Sequence, residues 1–243
     1  MYSEIAILAL ISFTTSAFNA IAGAGGGMVM MGALPIWLPS NAVVPIHGLV
    51  QLFSNGSRAY FLRKNIDYAS LKTFVIGCLL GSILGGLLLQ DFPTEWLPLI
   101  IGIYILLNTW VKPFIKALAR FEHPVVLGAI QGAFGLFVGA PGPLIISAMK
   151  KRYCNDYAKL VATIAVFNSI SHFSKLVIYI VIGFSFEAYW QIGLVMIGAA
   201  IIGSLVGKML QSKIPTRYLQ WLLTSLLTLL AINMIINVLK IQL

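Results

Sequence analysis

Arg58 and Lys175 lie within long apolar stretches, and each closes the same polar pattern: Gln51-x-x-Ser54-x-x-x-Arg58 and Asn168-x-x-Ser171-x-x-x-Lys175. On a helix, residues three, four and seven apart share a face, so each pattern is a polar stripe ending in a cation. A cation at the centre of a bilayer costs about 2.5–3.5 kcal/mol on insertion scales and therefore faces a cavity or a partner. The seven carboxylates, Glu4, Asp67, Asp91, Glu95, Glu122, Asp156 and Glu187, fall at loops or segment ends. No acid remains at membrane depth to neutralise Lys175 or to hold a transported cation. Two cations accompanied by the neutral donors Gln51, Ser54, Asn55, Asn168, Ser171 and His172 describe a site for an oxyanion such as sulfite or a sulfonate. The competing readings are that Arg58 snorkels to the loop beginning at Arg63, and that several of these groups serve only as interhelical hydrogen bonds. His47 and His172 ordinarily titrate near neutrality and are candidates to carry a coupling proton, against the plainer role of satisfied hydrogen-bond partners.

Elements that hold such a site must be interrupted where an anion can reach backbone N–H groups. Two clusters meet that need, Gly23-Ala24-Gly25-Gly26-Gly27 and Gly139-Ala140-Pro141-Gly142-Pro143. In hydrocarbon a helix breaks at depth only where protein or a cavity satisfies the freed groups. Paired breaks in matching places of a duplicated chain point to a binding site at the midplane. Half-helices over 28–38 and 144–152 would aim their N-termini at one anion, with Gly25, Gly26, Gly27, Ala140 and Gly142 as backbone ligands. Most of the other glycines read as packing. Gly77-x-x-x-Gly81-x-x-x-Gly85 and Gly203-x-x-x-Gly207 have the spacing of close helix contact faces.

The frame around these residues is membrane helix. The chain has 243 residues, 59% hydrophobic and 9% charged, with a mean hydropathy of +0.94, which excludes a soluble domain. Apolar segments are predicted near 42–62, 70–89, 96–111, 157–183, 188–208 and 217–238. Two further segments, 4–38 and 125–149, contain the breaks, giving about eight hydrophobic segments in all. The first lacks a basic leader and an obvious cleavage site, so it reads as retained. The net charge of +9 sits mainly in short loops and reflects topology rather than a nucleic-acid partner. Cys78 falls in a helix and Cys154 in a basic loop, which argues against a disulfide or metal framework. No cofactor is expected.

The polar stripes belong to a longer internal repeat. Asp67-Tyr68 matches Glu187-Ala188-Tyr189, Gly81-Ser82 matches Gly203-Ser204, Gln90 matches Gln211, and Pro93-Thr94 matches Pro215-Thr216, at offsets drifting from 116 to 122. Two homologous halves follow, 1–115 and 116–243. If each broken segment is a re-entrant hairpin, the loops at 63–72, 112–120, 150–159 and 208–217 share one face and hold 13 of the 16 lysines and arginines. That asymmetry fits the positive-inside rule and makes the halves inverted repeats, each a broken hairpin followed by three spans. Eight full crossings is the alternative topology. Trp37, Trp96, Trp110, Trp190 and Trp221 all lie at segment ends, as an aromatic belt requires.

The glycine clusters, the stretch Ala162-Thr163-x-Ala165-x-x-Asn168-Ser169 and the two Gly-Ser-x-x-Gly helices resemble the TauE/SafE family, also called sulfite exporters or anion permeases, over about residues 15–235. The first half departs from the usual motif at Asn41-Ala42-Val43-Val44-Pro45-Ile46-His47. The resemblance implies a multi-pass protein of the cell (plasma or inner) membrane, with seven to nine helices, no ATPase domain, and small sulfur-containing or carboxylate anions as substrates. Accordingly the chain is expected to be a secondary transporter, an exporter of a small anion such as sulfite or an organosulfonate, working by alternating access between the halves. Its expected partners are that anion, the lipid bilayer and, as one option, further copies of itself. No P-loop pattern follows Gly27, so ATP hydrolysis is not expected. A passive anion channel is the alternative within transport. An intramembrane enzyme is the rival class, and three histidines, two cysteines and no mid-membrane acid give it poor material.

Overall fold

The computed structural model describes residues 2–23, 25–118, 120–139, 141–211, 213–214 and 216–242, and every regular element among them is helical. Helix α1 (Tyr2–Ala22) runs to the first break, and α2 (Gly26–Ala33) restarts beyond it. Gly23 and Gly25 take positive φ values of 80° and 97° there, which only glycine adopts without strain. Then come α3 (Ser40–Phe61), α4 (Tyr68–Leu89), α5 (Leu97–Trp110) and the short α6 (Lys112–Leu118). The second half repeats the pattern: α7 (Pro124–Val138), the second break with Gly139 at φ 71°, and α8 (Gly142–Arg152). It continues with α9 (Tyr157–Val181), α10 (Trp190–Leu210) and α11 (Thr216–Gln242). Both clusters therefore interrupt helix. The restarting helices begin two residues earlier than the sequence suggests, because a glycine, or a proline in the first turn, is compatible with a helix start. The first of them also ends at Ala33, where Pro35 tightens the chain into a 3-10 turn, Leu34–Ile36.

Among the described residues, five helical stretches are long and apolar enough to cross a membrane: Ser3–Ala22, Tyr68–Leu89, Tyr157–Val181, Glu187–Leu210 and Tyr218–Lys240. Helix α3 is comparably long but less apolar, since it carries His47, Gln51, Asn55 and Arg58, and it is sunk among its neighbours. Bulky apolar side chains such as Leu80, Leu84 and Leu88 of α4, and Trp221 and Leu229 of α11, point outward, as lipid-facing surfaces require.

The helices are paired across the two halves. Helix α1 packs along α10, α7 along α4, and α3 against α9 at the centre. The first two seams are made by backbone approach. Gly203 and Gly207 lie over the main chain of Phe13 and Ala17, while Gly77 and Gly81 lie over that of Val125 and Ala129. A Cβ on any of the four would run into those backbone atoms, so the small-residue spacing sets how closely the helices cross. Between α4 and α9, the rings of Phe74 and Phe167 stack at 3.9 Å, anchoring a second core with Leu127, Ile145 and Met149.

One polar knot ties the α3–α4 loop to the opposite half. The Asp67 carboxylate accepts from the Tyr153 hydroxyl at 2.6 Å and the Ser70 hydroxyl at 2.8 Å, and caps α4 by accepting from Ser70 N–H at 3.2 Å. Asp67 N–H in turn donates to Thr163 Oγ1 of α9 at 3.1 Å. Partial burial alone pushes the carboxyl up. The bonds from Tyr153 and Ser70, with the charge of Lys159, outweigh it and hold Asp67 at about 2, below its ordinary 3.8. Burial and donation to Asp67 push the Tyr153 hydroxyl up.

Two outcomes follow for stability in detergent. Gly81→Leu should lower the melting temperature through overpacking of about 1–3 kcal/mol, whereas Gly198→Ala, whose Cβ meets open space, should leave it unchanged or higher. A carboxyl depressed in the folded state stabilises above its unfolded value and loses that contribution as pH falls through the folded one. Melting followed from about pH 4 to pH 2 should therefore fall more steeply in the native protein than in Tyr153→Phe, by at most about 1 kcal/mol because Asp67 is only partly buried.

Candidate functional site

The two breaks and the central pair α3 and α9 enclose a cavity of about 340 Å³. From the first break it is walled by Asn19, Gly23, Gly25 and Gly27, and from the second by Gln131 and Pro141. Helix α3 contributes His47, Gln51, Asn55 and Arg58, and α9 contributes Asn168 and His172. The cavity then extends past Lys150, Tyr157 and Gln220 to the helix ends beside the basic loops. Among the described residues, Arg58 and Lys150 are the cations on this wall, and no carboxylate lines it.

A ladder of amides crosses the cavity. Gln131 Nε2 of α7 donates to Asn168 Oδ1 at 2.8 Å, and Asn168 Nδ2 reaches Asn55 Oδ1 at 3.5 Å. Asn55 Nδ2 donates to Gln51 Oε1 at 3.0 Å. Arg58 donates from Nη2 to Asn55 Oδ1 at 2.7 Å and from Nη1 to the Asn19 carbonyl at 3.2 Å. Its Nε is buried without a protein partner, as is Gln131 Oε1. An unsatisfied buried donor on a charged group costs well over 1 kcal/mol, so an acceptor bound there would be stabilising. Helix α2 adds donors, since its first-turn N–H groups have no intrahelical acceptor and Gly25, Gly27 and Met28 lie on the wall.

Lys175 stands behind this wall. Its Nζ donates to the Gly139 carbonyl at 2.5 Å and lies 3.3 Å from His172 Nδ1, and only 1% of the residue is exposed. The arrangement parallels that of Arg58: each cation binds a polar side chain three residues earlier in its own helix and a carbonyl near the end of the preceding broken limb. The two differ in access. Arg58 faces the cavity, while Lys175 reaches it through His172. His47 Nε2 sits 3.0 Å from the Gly27 carbonyl, and its ring meets that of His172 edge-on, centroids 5.5 Å apart.

Of the residues singled out from sequence, Gly25, Gly27, His47, Gln51, Asn55, Arg58, Asn168 and His172 share the cavity. Ser54 does not line it; its hydroxyl bonds Ser16 and Ser204 at the α1–α10 seam. Ser171 is buried facing Gly135, and Gly26 abuts the Thr15 carbonyl of α1. Gly142 starts α8, and Ala140 lies outside the described residues. Sequence reasoning missed Asn19, Gln131, Lys150, Tyr157 and Gln220. The first two carried a signal, each a lone amide in an apolar limb just before a break. Lys150 was read only as a topology charge.

Comparison with known proteins agrees with this picture. The family described as Sulfite exporter TauE/SafE matches residues 8–234. A protein of Haemophilus influenzae named "Probable membrane transporter protein" is 26% identical over 222 residues, covering 86% of each chain. No solved structure matches. A match over nearly the whole length, on a multi-pass helical chain with a polar cavity between two broken helices, places the protein in the TauE/SafE family of membrane transporters.

Proposed function

We propose that the protein is a secondary transporter that exports a small anion, of the sulfite or organosulfonate class, by alternating access around the cavity between α3 and α9. The observation that carries this reading is Arg58, a partly buried guanidinium whose buried Nε is unpartnered, on a wall with no carboxylate among the described residues, beside the first break. Such a group is a charge-assisted donor awaiting an oxygen acceptor. The export direction follows the family's description as sulfite exporters. Size favours a carbon-bearing anion over a bare oxyanion: about 340 Å³ leaves room beyond the charged head, and Met28, Ile146, Leu160, Val161 and Ile164 offer that remainder an apolar wall.

The same reading takes residues 1–115 and 116–243 as inverted repeats, with eight hydrophobic segments and both broken hairpins re-entrant. Its supports are the reciprocal seams, α1 on α10 and α7 on α4, and the parallel bonding of Arg58 and Lys175. Charge places the basic loops in the cytoplasm. The cavity, which extends toward Lys150 and Gln220, then faces inward.

In a thermal-shift series of sulfite, sulfate, thiosulfate, sulfoacetate, taurine and small carboxylates, Arg58→Gln should weaken the stabilising anion at least about tenfold, matching the 1.5–3 kcal/mol of a charged hydrogen bond. An undiminished shift in that variant defeats the anion site. For topology, Asn155→Cys in a Cys154→Ser background, which removes an exposed native thiol, should react with an impermeant maleimide only from the cytoplasmic side. Reaction from outside supports eight full crossings instead.

A further inference from the structure

The two glycine breaks are joined by a line of nitrogen bases that anion binding alone does not require. It runs from the Gly139 carbonyl through Lys175 and His172 to His47 and the Gly27 carbonyl. A carbonyl only accepts, so His47 carries its proton on Nε2, facing Gly27, and its Nδ1 is a bare lone pair. That Nδ1 is buried and has no protein partner. His172 has no comparable vacancy. Its Nδ1 already faces Lys175 Nζ at 3.3 Å, so its own proton belongs on Nε2. Within the line, His47 Nδ1 is the base left open, and it belongs to a residue on the cavity wall.

We propose that His47 Nδ1 is the coupling site of this transporter, taking up one proton from water that reaches it as the anion enters and returning it to water when the anion leaves. The inference rests on the anion-site reading above and adds the sign of the coupling. The groups around His47 decide that sign. On its own helix are Gln51 and Arg58; α9 presents His172 and Lys175; α7 presents Gln131, and α2 the Gly27 carbonyl. Farther off, α8 contributes Lys150 to the cavity, and α4 brings Cys78, bonded to Ser174, near Lys175. None of these is a carboxylate. A second positive charge beside Lys175 and Arg58 is opposed in an empty cavity and compensated once an anion is present. By linkage the anion then tightens proton binding by the same factor that the proton tightens anion binding. Anion and proton therefore travel together. For a monoanion that step is electroneutral, so the membrane potential drops out and export is set by the anion and proton concentration differences across the membrane.

The test uses full-length protein labelled with ¹⁵N-histidine, in nanodiscs, titrated from about pH 8 to pH 5 across the ordinary histidine range. Methanesulfonate is the probe, because it stays ionised over that range and any proton gained belongs to the protein. The chain has three histidines, so His47 is assigned by loss of its signal in His47→Gln or, should that variant not fold, by elimination with His123→Asn and His172→Asn. The expected result is an Nδ1 unprotonated at the start that gains its proton with at least about fivefold higher affinity when methanesulfonate is bound, a coupling in the usual range. The coupling should shrink in Arg58→Gln. A methanesulfonate-induced melting shift with an unchanged His47 titration, or with Nδ1 unprotonated throughout, overturns the coupling and leaves the anion site standing. Absence of any melting shift with methanesulfonate, sulfite or taurine defeats the anion site, and the coupling falls with it.

Discussion

A helix interrupted inside a membrane leaves carbonyl and N–H groups that no water can satisfy, and the structure is organised around that constraint. At the first break the Gly27 carbonyl is met by His47, and the Asn19 carbonyl, one turn earlier, by Arg58. At the second, the Gly139 carbonyl is met by Lys175. With His172, these three side chains supply the basic groups of the buried centre among the described residues. Satisfying the broken backbone and furnishing the site are thus one task done by one set of residues. The outermost apolar helices, by contrast, complete their own backbone bonding and have only to face lipid.

The positions of the breaks depend on the seams. Because α1 meets α10, and α4 meets α7, through glycine on backbone, the helices approach too closely to slide without collision. The broken ends are therefore delivered to a fixed depth beside α3 and α9. Ser54, bonded to Ser16 and Ser204, pins α3 to the first of these seams. A residue that looked like part of the site instead fixes the helix that presents it. The Asp67–Tyr153 knot does related work at the loop end, joining the first half to α8 of the second.

Segment limits were legible because glycine, proline and charge punctuate apolar runs sharply. The expected span at 70–89 is Tyr68–Leu89, that at 157–183 is Tyr157–Val181, and both breaks fall where the clusters lie. Facing was less legible. At about 100° per residue, Asn55 lies about 40° to one side of Gln51 around α3 and Arg58 about 20° to the other, while Ser54 is turned about 60°, beyond Arg58, enough to leave the cavity for the seam. Spacing of three, four and seven cannot make that distinction without knowing where the neighbouring helices lie. Gln131 and Asn19 escaped for another reason. A single amide in an apolar limb carries no periodicity, and only the arrival of α3 and α9 opposite shows what it faces. Lys150, Tyr157 and Gln220 sit at helix ends, where sequence offers orientation as a sufficient account.

The inequality of Arg58 and Lys175 follows from their chemistry. A guanidinium can satisfy Asn55 and the Asn19 carbonyl and still offer Nε from the same rigid plane, so on the proposed reading it is a structural tie and a ligand together. An ammonium is a compact point charge, and Lys175 is directed to Gly139 and His172 away from the cavity wall. On the inverted-repeat reading, residues 55 and 172 then explain why the two sites are not copies. Asn55 is a neutral amide and relays no charge from Arg58, whereas His172 links Lys175 to His47. One half presents its cation directly, and the other presents it through the imidazole of His172, which meets His47 of the first half. On that reading and the proposed coupling, a duplicated chain places an anion ligand and a proton acceptor side by side with no carboxylate among the described residues of the cavity wall.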